Sequence, residues 1–204
     1  METLPRTLDR ILGATLIVSR WATYVGGGAL LISAFLISVD VLMRRLVGLS
    51  TWGADELSNY ALAISASWTF AYALLVKAHI RIDLVTSRLS GHGRAFLNLL
   101  ALLAIGYLAW GFAQAFFHIF MRSWGRGTTS ITTLQTPLWI PQGLFLMGII
   151  FFIAVTILLI VRLLVAVFVE RDFKVADRVA GALTVAEETE EAVSDALHTH
   201  QRNG

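Results

Sequence analysis

The chain has 204 residues, of which 56% are hydrophobic and only 15% charged, with no cysteine and a net charge of +2. A soluble domain carries about 25% charged residues, and here the charges crowd into short stretches between long uncharged ones. Disulfides, thiolate metal sites and thiol nucleophiles are excluded. The small basic excess sits in loops and excludes a nucleic-acid-binding surface.

Crossing about 30 Å of hydrocarbon takes roughly 20 apolar residues in a helix. Four stretches reach that length, at about 21–43, 57–76, 96–121 and 141–165. Hydrocarbon offers no water to backbone groups, so each stretch must satisfy its own hydrogen bonds as a helix. The apolar runs are too continuous for the alternation of a membrane β-barrel strand. The expected fold is therefore all-α: a polytopic membrane protein with four transmembrane helices and short interfacial helices. Its expected parts are an interfacial amino-terminal segment 1–20, a transmembrane domain 21–169 and a flexible acidic tail 170–204.

Segment 1–20 spaces Leu8, Ile11, Leu12 and Thr15 at helical intervals, with Arg6, Asp9 and Arg10 elsewhere. It reads either as a helix lying in the membrane interface or as an extension of the first span. No small-residue cleavage site follows the first apolar run, which reads as a retained anchor. Gly26, Gly27 and Gly28 interrupt this span. Asp40 and Arg44, four apart at its end, can pair on one helix face. The next loop is short and ends with Asp55 and Glu56, carboxylates that suit the positive end of the second helix. That helix places Ala63, Ser67 and Ala71 four apart, small residues that let backbones approach in lipid. The following loop alternates apolar and polar residues from His79 to Val85, a pattern for a segment docked on the membrane surface. Gly91 and Gly93 punctuate the entry to the third span. Before the fourth, Pro137 and Pro141 predict an extended piece to about Ile140 and a helix from near Pro141. The tail holds eight of the fourteen acidic residues, as a solvated segment or a docking element for a partner.

With four spans, the amino terminus, the 77–94 loop and the carboxyl end from Arg162 onward share one side and hold 12 of the 16 Lys and Arg residues. The other side holds Arg44, Arg45, Arg122 and Arg126. The excess places both termini in the cytoplasm. Trp52, Trp124 and Trp139 fall at the outer interface and Trp21 at the inner one, where indole rings favour the headgroup level.

An ionisable group inside the membrane is a functional hypothesis by default, and the middle of these spans has none. His79 and His118 lie near opposite faces, whereas a haem held by two histidines needs them at matched depth. No HExxH, P-loop or GxSxG pattern occurs. Asn98, Gln114 and Gln142, the amides in or near the spans, read as interhelical hydrogen-bonders. The expectation is a non-enzyme with no cofactor or metal, whose small-residue faces pack within its own bundle or against a larger partner. The alternatives are a membrane-anchor subunit of a redox complex, a self-contained oligomeric channel and an assembly factor.

The segment Asp40-Val41-Leu42-Met43-Arg44-Arg45, then Trp52, Asp55-Glu56-Leu57-Ser58-Asn59-Tyr60 and Lys77-Ala78-His79-Ile80-Arg81-Ile82-Asp83-Leu84-Val85, resembles the small (Q-type) membrane subunit of tripartite ATP-independent periplasmic (TRAP) transporters. In that family an arginine precedes an acidic residue and a tyrosine-bearing helix, followed by a His-hydrophobic-x-hydrophobic-Asp segment. Arg44, Glu56, Tyr60, His79 and Asp83 occupy those places. The resemblance covers about Trp21 to Val169, most sharply Asp40 to Val85. It implies two protein partners, a large transmembrane subunit carrying the transport site and a periplasmic substrate-binding protein. It also implies sodium-driven import of an organic acid. The small subunit would broaden the large subunit's scaffold. Asp40, Arg44, Trp52, Asp55, Glu56, Tyr60, His79 and Asp83 are then the structural or partner-contact candidates.

Overall fold

Long apolar runs without internal proline form long helices, and the computed structural model, which describes residues 3–48, 53–76, 91–132 and 134–170, consists of four. They are α1 (Thr3–Leu46), α2 (Ala54–Leu75), α3 (Gly91–Arg126) and α4 (Trp139–Val165). A π-helical turn, Ala166–Glu170, continues α4. The described residues contain no strand, only an isolated bridge between Thr129 and Pro137. Among the described residues, three helices are long and apolar enough to cross a membrane: α1 from Pro5, α3, and α4 with its π turn. The second, α2, has 22 residues but is diluted by Ser58, Asn59, Tyr60, Ser65, Ser67, Thr69 and Tyr72.

Three local expectations change. The triple glycine does not interrupt α1, which runs unbroken through residues 20–28, because the residues on both sides carry the helix across. Gly91 and Gly93 do not precede α3 but form its first turn. The last helix starts at Trp139, two residues before the expected Pro141. Pro141 still falls in the first turn, where a missing N–H breaks no helical bond. His79, Asp83, Trp52 and the acidic tail lie outside the described residues.

The helices form a row, not a closed bundle. α1 packs along α2, α2 packs along α4, and α4 packs along α3. No comparable packing joins α2 to α3 or α1 to α3, while α1 touches α4. Helix α2 is therefore flanked by α1 and α4, and helix α4 by α2 and α3. Phe152, Val155, Leu159 and Leu163 of α4 form the main core with Ala71 and Leu74 of α2 and with Leu102 and Ala109 of α3. A second cluster joins Ala113 to Leu146 and Ile149.

Small residues set the contacts. The Ser65 hydroxyl donates to the Gly26 carbonyl across α1 and α2 at 3.0 Å, and a Cβ at Gly26 would sit 3.0 Å from Ser65 Cβ. Ser67 and Ala71 are buried as their spacing suggests, whereas Ala63, on the same stripe, is exposed. A Cβ at Gly148 would lie 2.3 Å from Ser67 Oγ and 2.9 Å from Trp68 Cδ1. One turn away, Trp68 Nε1 donates to the Leu144 carbonyl at 3.1 Å.

These contacts separate the glycines. Gly148→Ala is expected to destabilise the fold by about 1–3 kcal/mol, the range for forcing an extra methyl into a packed contact. Gly27→Ala, with nothing within 4 Å, should be neutral or stabilising by up to about 1 kcal/mol, the helix-propensity difference. Unfolding of the two purified variants in detergent micelles checks the contrast.

Candidate functional site

The two ends of the row carry its polar chemistry. At the end holding the α3–α4 loop, α2 begins after Gly53, whose φ of 97° lies in the left-handed region. The helix then turns Glu56 inward, where it is buried. The Tyr60 hydroxyl, one turn on, donates to Glu56 Oε1 at 2.6 Å, and the Thr132 hydroxyl donates to Oε2. Both carboxylate oxygens are thus satisfied, one from its own helix and one from a loop 76 positions away.

That loop is built to reach. Gly127, at φ 58°, ends α3, and Thr128 N–H then donates to the Ser123 carbonyl at 3.1 Å. Ser130 N–H donates to the Thr136 carbonyl and Leu138 N–H to the Thr128 carbonyl, closing a short hairpin. The Leu134 side chain lies on Gly53 so closely that a Cβ there would be 2.2 Å from Leu134 Cδ1. Gly53 therefore meets two demands at once: a left-handed φ and room for the loop. The Trp124 and Trp139 rings meet edge-on below the loop, with centroids 4.8 Å apart.

The bonds to Glu56 set its charge. The Tyr60 hydroxyl holds the Glu56 carboxyl below the usual carboxylate range; desolvation opposes this, and the Thr136 and Ser130 hydroxyls add to the lowering. Nearby, Arg44 Nη2 donates to Asp40 Oδ2 one helical turn away. Asp40 is buried while the Arg44 side chain is exposed. Asp55 is exposed. The structure therefore uses Asp40, Glu56 and Tyr60 inside the chain and leaves Arg44 and Asp55 at the surface.

At the opposite end, Arg162 Nε donates to Asp9 Oδ1 at 2.7 Å and Nη2 to Oδ2 at 3.3 Å. The Arg162 side chain is 5% exposed and that of Asp9 54%. This two-pronged pair joins α4 to the first turns of α1 across 153 positions. Leu8 is buried and Leu12 packs on the core beside it. Sequence reasoning counted Arg162 only among the charges of the carboxyl end and left Asp9 off the apolar stripe of segment 1–20. A signal was present: seven apolar residues, Leu163 to Val169, follow Arg162, so it lies within the run and not at its end. Nothing in the sequence marks Thr132 as the partner of Glu56.

Between α2 and α3, over α4, runs a groove of about 460 Å³ lined by Ala66, Phe70, Ile105, Ala109, Phe145 and Ile149 among others. Among the described residues, no three His, Asp or Glu side chains stand in a metal-binding group. The arrangement clamps helices and presents apolar surface.

The ion pair and the loop contact each make a measurable demand. Asp9→Ala leaves a buried guanidinium without its main counter-ion. It is expected to cost on the order of 2 kcal/mol, below the 3–5 kcal/mol of a fully buried pair because Asp9 is half-exposed. The double variant Asp9→Leu, Arg162→Met should recover most of that in the same unfolding measurement. Because the folded-state value for Glu56 is lowered, its contribution is present above the ordinary carboxylate range and is lost as pH falls through the lowered value. Hydrogen exchange at residues 127–138 is expected to quicken on acidification. Glu56→Gln should make it fast at every pH.

The chain matches the family described as "Tripartite ATP-independent periplasmic transporters, DctQ component" over residues 33–166. No curated protein and no solved structure matches it. The matched region begins inside α1, takes in the Glu56 contact and Arg162, and leaves Asp9 outside. With more than half of its length inside that match, the chain belongs to the DctQ family, the small membrane component of TRAP transporters.

Proposed function

We propose that the chain is the non-catalytic small subunit of a sodium-driven importer of an organic acid. All four helices cross the bacterial inner membrane, with both termini in the cytoplasm. The distribution of Lys and Arg supports this orientation, and the carboxylate-to-hydroxyl contact at the start of α2 suits a water-facing end of a span on either side. Ser65 of α2 is buried against α1 and Ser67 against α4, which offsets the modest hydropathy of a fourth span.

The observation that carries the partner role is the row of helices. It leaves the apolar groove and a long face of α1, including Leu31, Ile32 and Phe35, exposed. No ionisable side chain from the middle of a helix lines the groove, so the chain has no interior path for an anion. It packs instead on the scaffold of a large transmembrane subunit, and a periplasmic binding protein delivers the substrate. Arg44, Asp55, Trp52, His79 and Asp83 are proposed contacts at the two water-facing edges, while Asp40, Glu56 and Tyr60 hold the outer edge in shape.

Reconstitution tests this reading. Proteoliposomes holding this chain together with the large subunit and binding protein are expected to accumulate a labelled organic acid only under an inward sodium gradient. Uptake by this chain alone would overturn the proposal. Reporter fusions at each terminus should both read as cytoplasmic.

A further inference from the structure

The first turns of α1 present a face that the bundle does not use. Arg6, Arg10, Gly13, Ile17, Arg20 and Tyr24 follow one another at alternating spacings of four and three, which puts them on one side of the helix. All six are exposed, and Gly13 has nothing within 4 Å. Leu8 and Ser19, on the opposite side, are buried. Between Thr3 and Val39 the one acidic residue is Asp9, and Arg162 engages it. The exposed face is therefore cationic, with its one neighbouring carboxylate already taken.

Around Arg20 this face is organised. Arg20 Nε donates to the Tyr24 hydroxyl at 3.2 Å, and the guanidinium carbon stands 5.7 Å from the centre of the same ring. The Trp21 ring meets Tyr24 edge-on, with centroids 6.2 Å apart. A guanidinium has five N–H donors, and among the described residues no carboxylate pairs with that of Arg20. Having accepted the Nε bond, the Tyr24 hydroxyl keeps its own proton to donate. The outer guanidinium fork and a phenol proton beside it match the oxygens of a phosphate, which such a fork binds through two of them.

Depth says where that phosphate comes from. Tyr72 of α2 interacts electrostatically with Arg20 and lies three residues before Leu75, the last of α2. Arg20 thus stands about 5 Å inside that helix end at 1.5 Å per residue, a distance an arginine covers by extending toward the interface. Trp21 and Tyr24 are both exposed at the same level, where aromatic rings favour the headgroup layer. No free carboxylate is present to hold the ammonium of a zwitterionic headgroup, and Arg10 adds positive charge about 15 Å along the helix. A headgroup of net negative charge fits this field. The cluster also lies outside residues 33–166, so it is not part of the surface that the family match covers.

We propose that Arg20, with Tyr24 and Trp21, binds the phosphate of an acidic phospholipid in the cytoplasmic leaflet. The choice of leaflet rests on the cytoplasmic amino terminus argued above; the site does not.

Thermal unfolding of the purified chain in neutral detergent micelles tests the site. Added phosphatidylglycerol is expected to raise the midpoint, because a bound ligand stabilises by mass action. Phosphatidylcholine and inorganic phosphate are expected to leave it unchanged. Arg20→Gln should weaken phosphatidylglycerol retention by about tenfold or more, the loss for a hydrogen bond to a charged group, with the lipid-free midpoint preserved. Tyr24→Phe should weaken it less, and Arg45→Gln at the other end of α1 should not weaken it. An equal rise with phosphatidylcholine, a rise with inorganic phosphate, or an undiminished rise in Arg20→Gln would each overturn the proposal. So would an equal loss in Arg45→Gln, which would mean diffuse attraction and no site. In the complex with the large subunit, the bound phosphatidylglycerol should persist on native mass spectrometry; its displacement would assign this face to the large subunit and overturn the lipid site. Terminal reporters that place the amino terminus outside would overturn the leaflet alone.

Discussion

Helices in lipid gain nothing from hiding apolar surface from one another, because the surrounding tails are as apolar as they are. What holds them is close backbone approach and hydrogen bonds that have no competitor. The approach of α2 to α4 supplies both. Gly148 lets the Ser67 side chain sit against α4, and Trp68 Nε1 donates to the Leu144 carbonyl beside it. The packing of α4 against α3 and of α1 against α2 is arranged around that contact. Without it, α1–α2 and α3–α4 would be two hairpins joined by little more than their ends.

Those ends are then tied by charge, in opposite ways. At the loop end, a carboxylate on α2 gathers hydroxyls from its own helix and from the α3–α4 loop. At the other end, a buried guanidinium on α4 finds a carboxylate on the first turns of α1. Each tie joins one hairpin to the other, since α2 belongs to the first and the loop to the second, and α1 to the first and α4 to the second. A row of helices has no closure to keep it in register, so fixing both edges is what makes it one body.

Much of this was legible before any coordinates. Lipid-length runs free of charge announce helices whatever their neighbours do, because the cost of an unpaired backbone group in hydrocarbon depends on no tertiary contact. The four-residue spacing of Asp40 and Arg44 predicts a contact that one helical turn makes by itself, and the structure contains it. The glycines show where local reading stops. Gly26, Gly27 and Gly28 look alike in the sequence, yet only Gly26 meets another helix. Which face of α1 turns toward α2 depends on where Ser65 stands, and no pattern within α1 carries that information.

The sequence by itself determined the all-α membrane character, the helices, the family and the absence of charge from their middles. All of these follow from interactions within a few residues or with the solvent. Only the tertiary structure decided that the helices stand in the order α1, α2, α4, α3. It also decided that Asp9 answers Arg162 and that Thr132 answers Glu56. Those pairings join residues 76 and 153 positions apart. Their partners are chosen by how whole helices pack, a choice made by close approach at a few small residues that no local periodicity encodes.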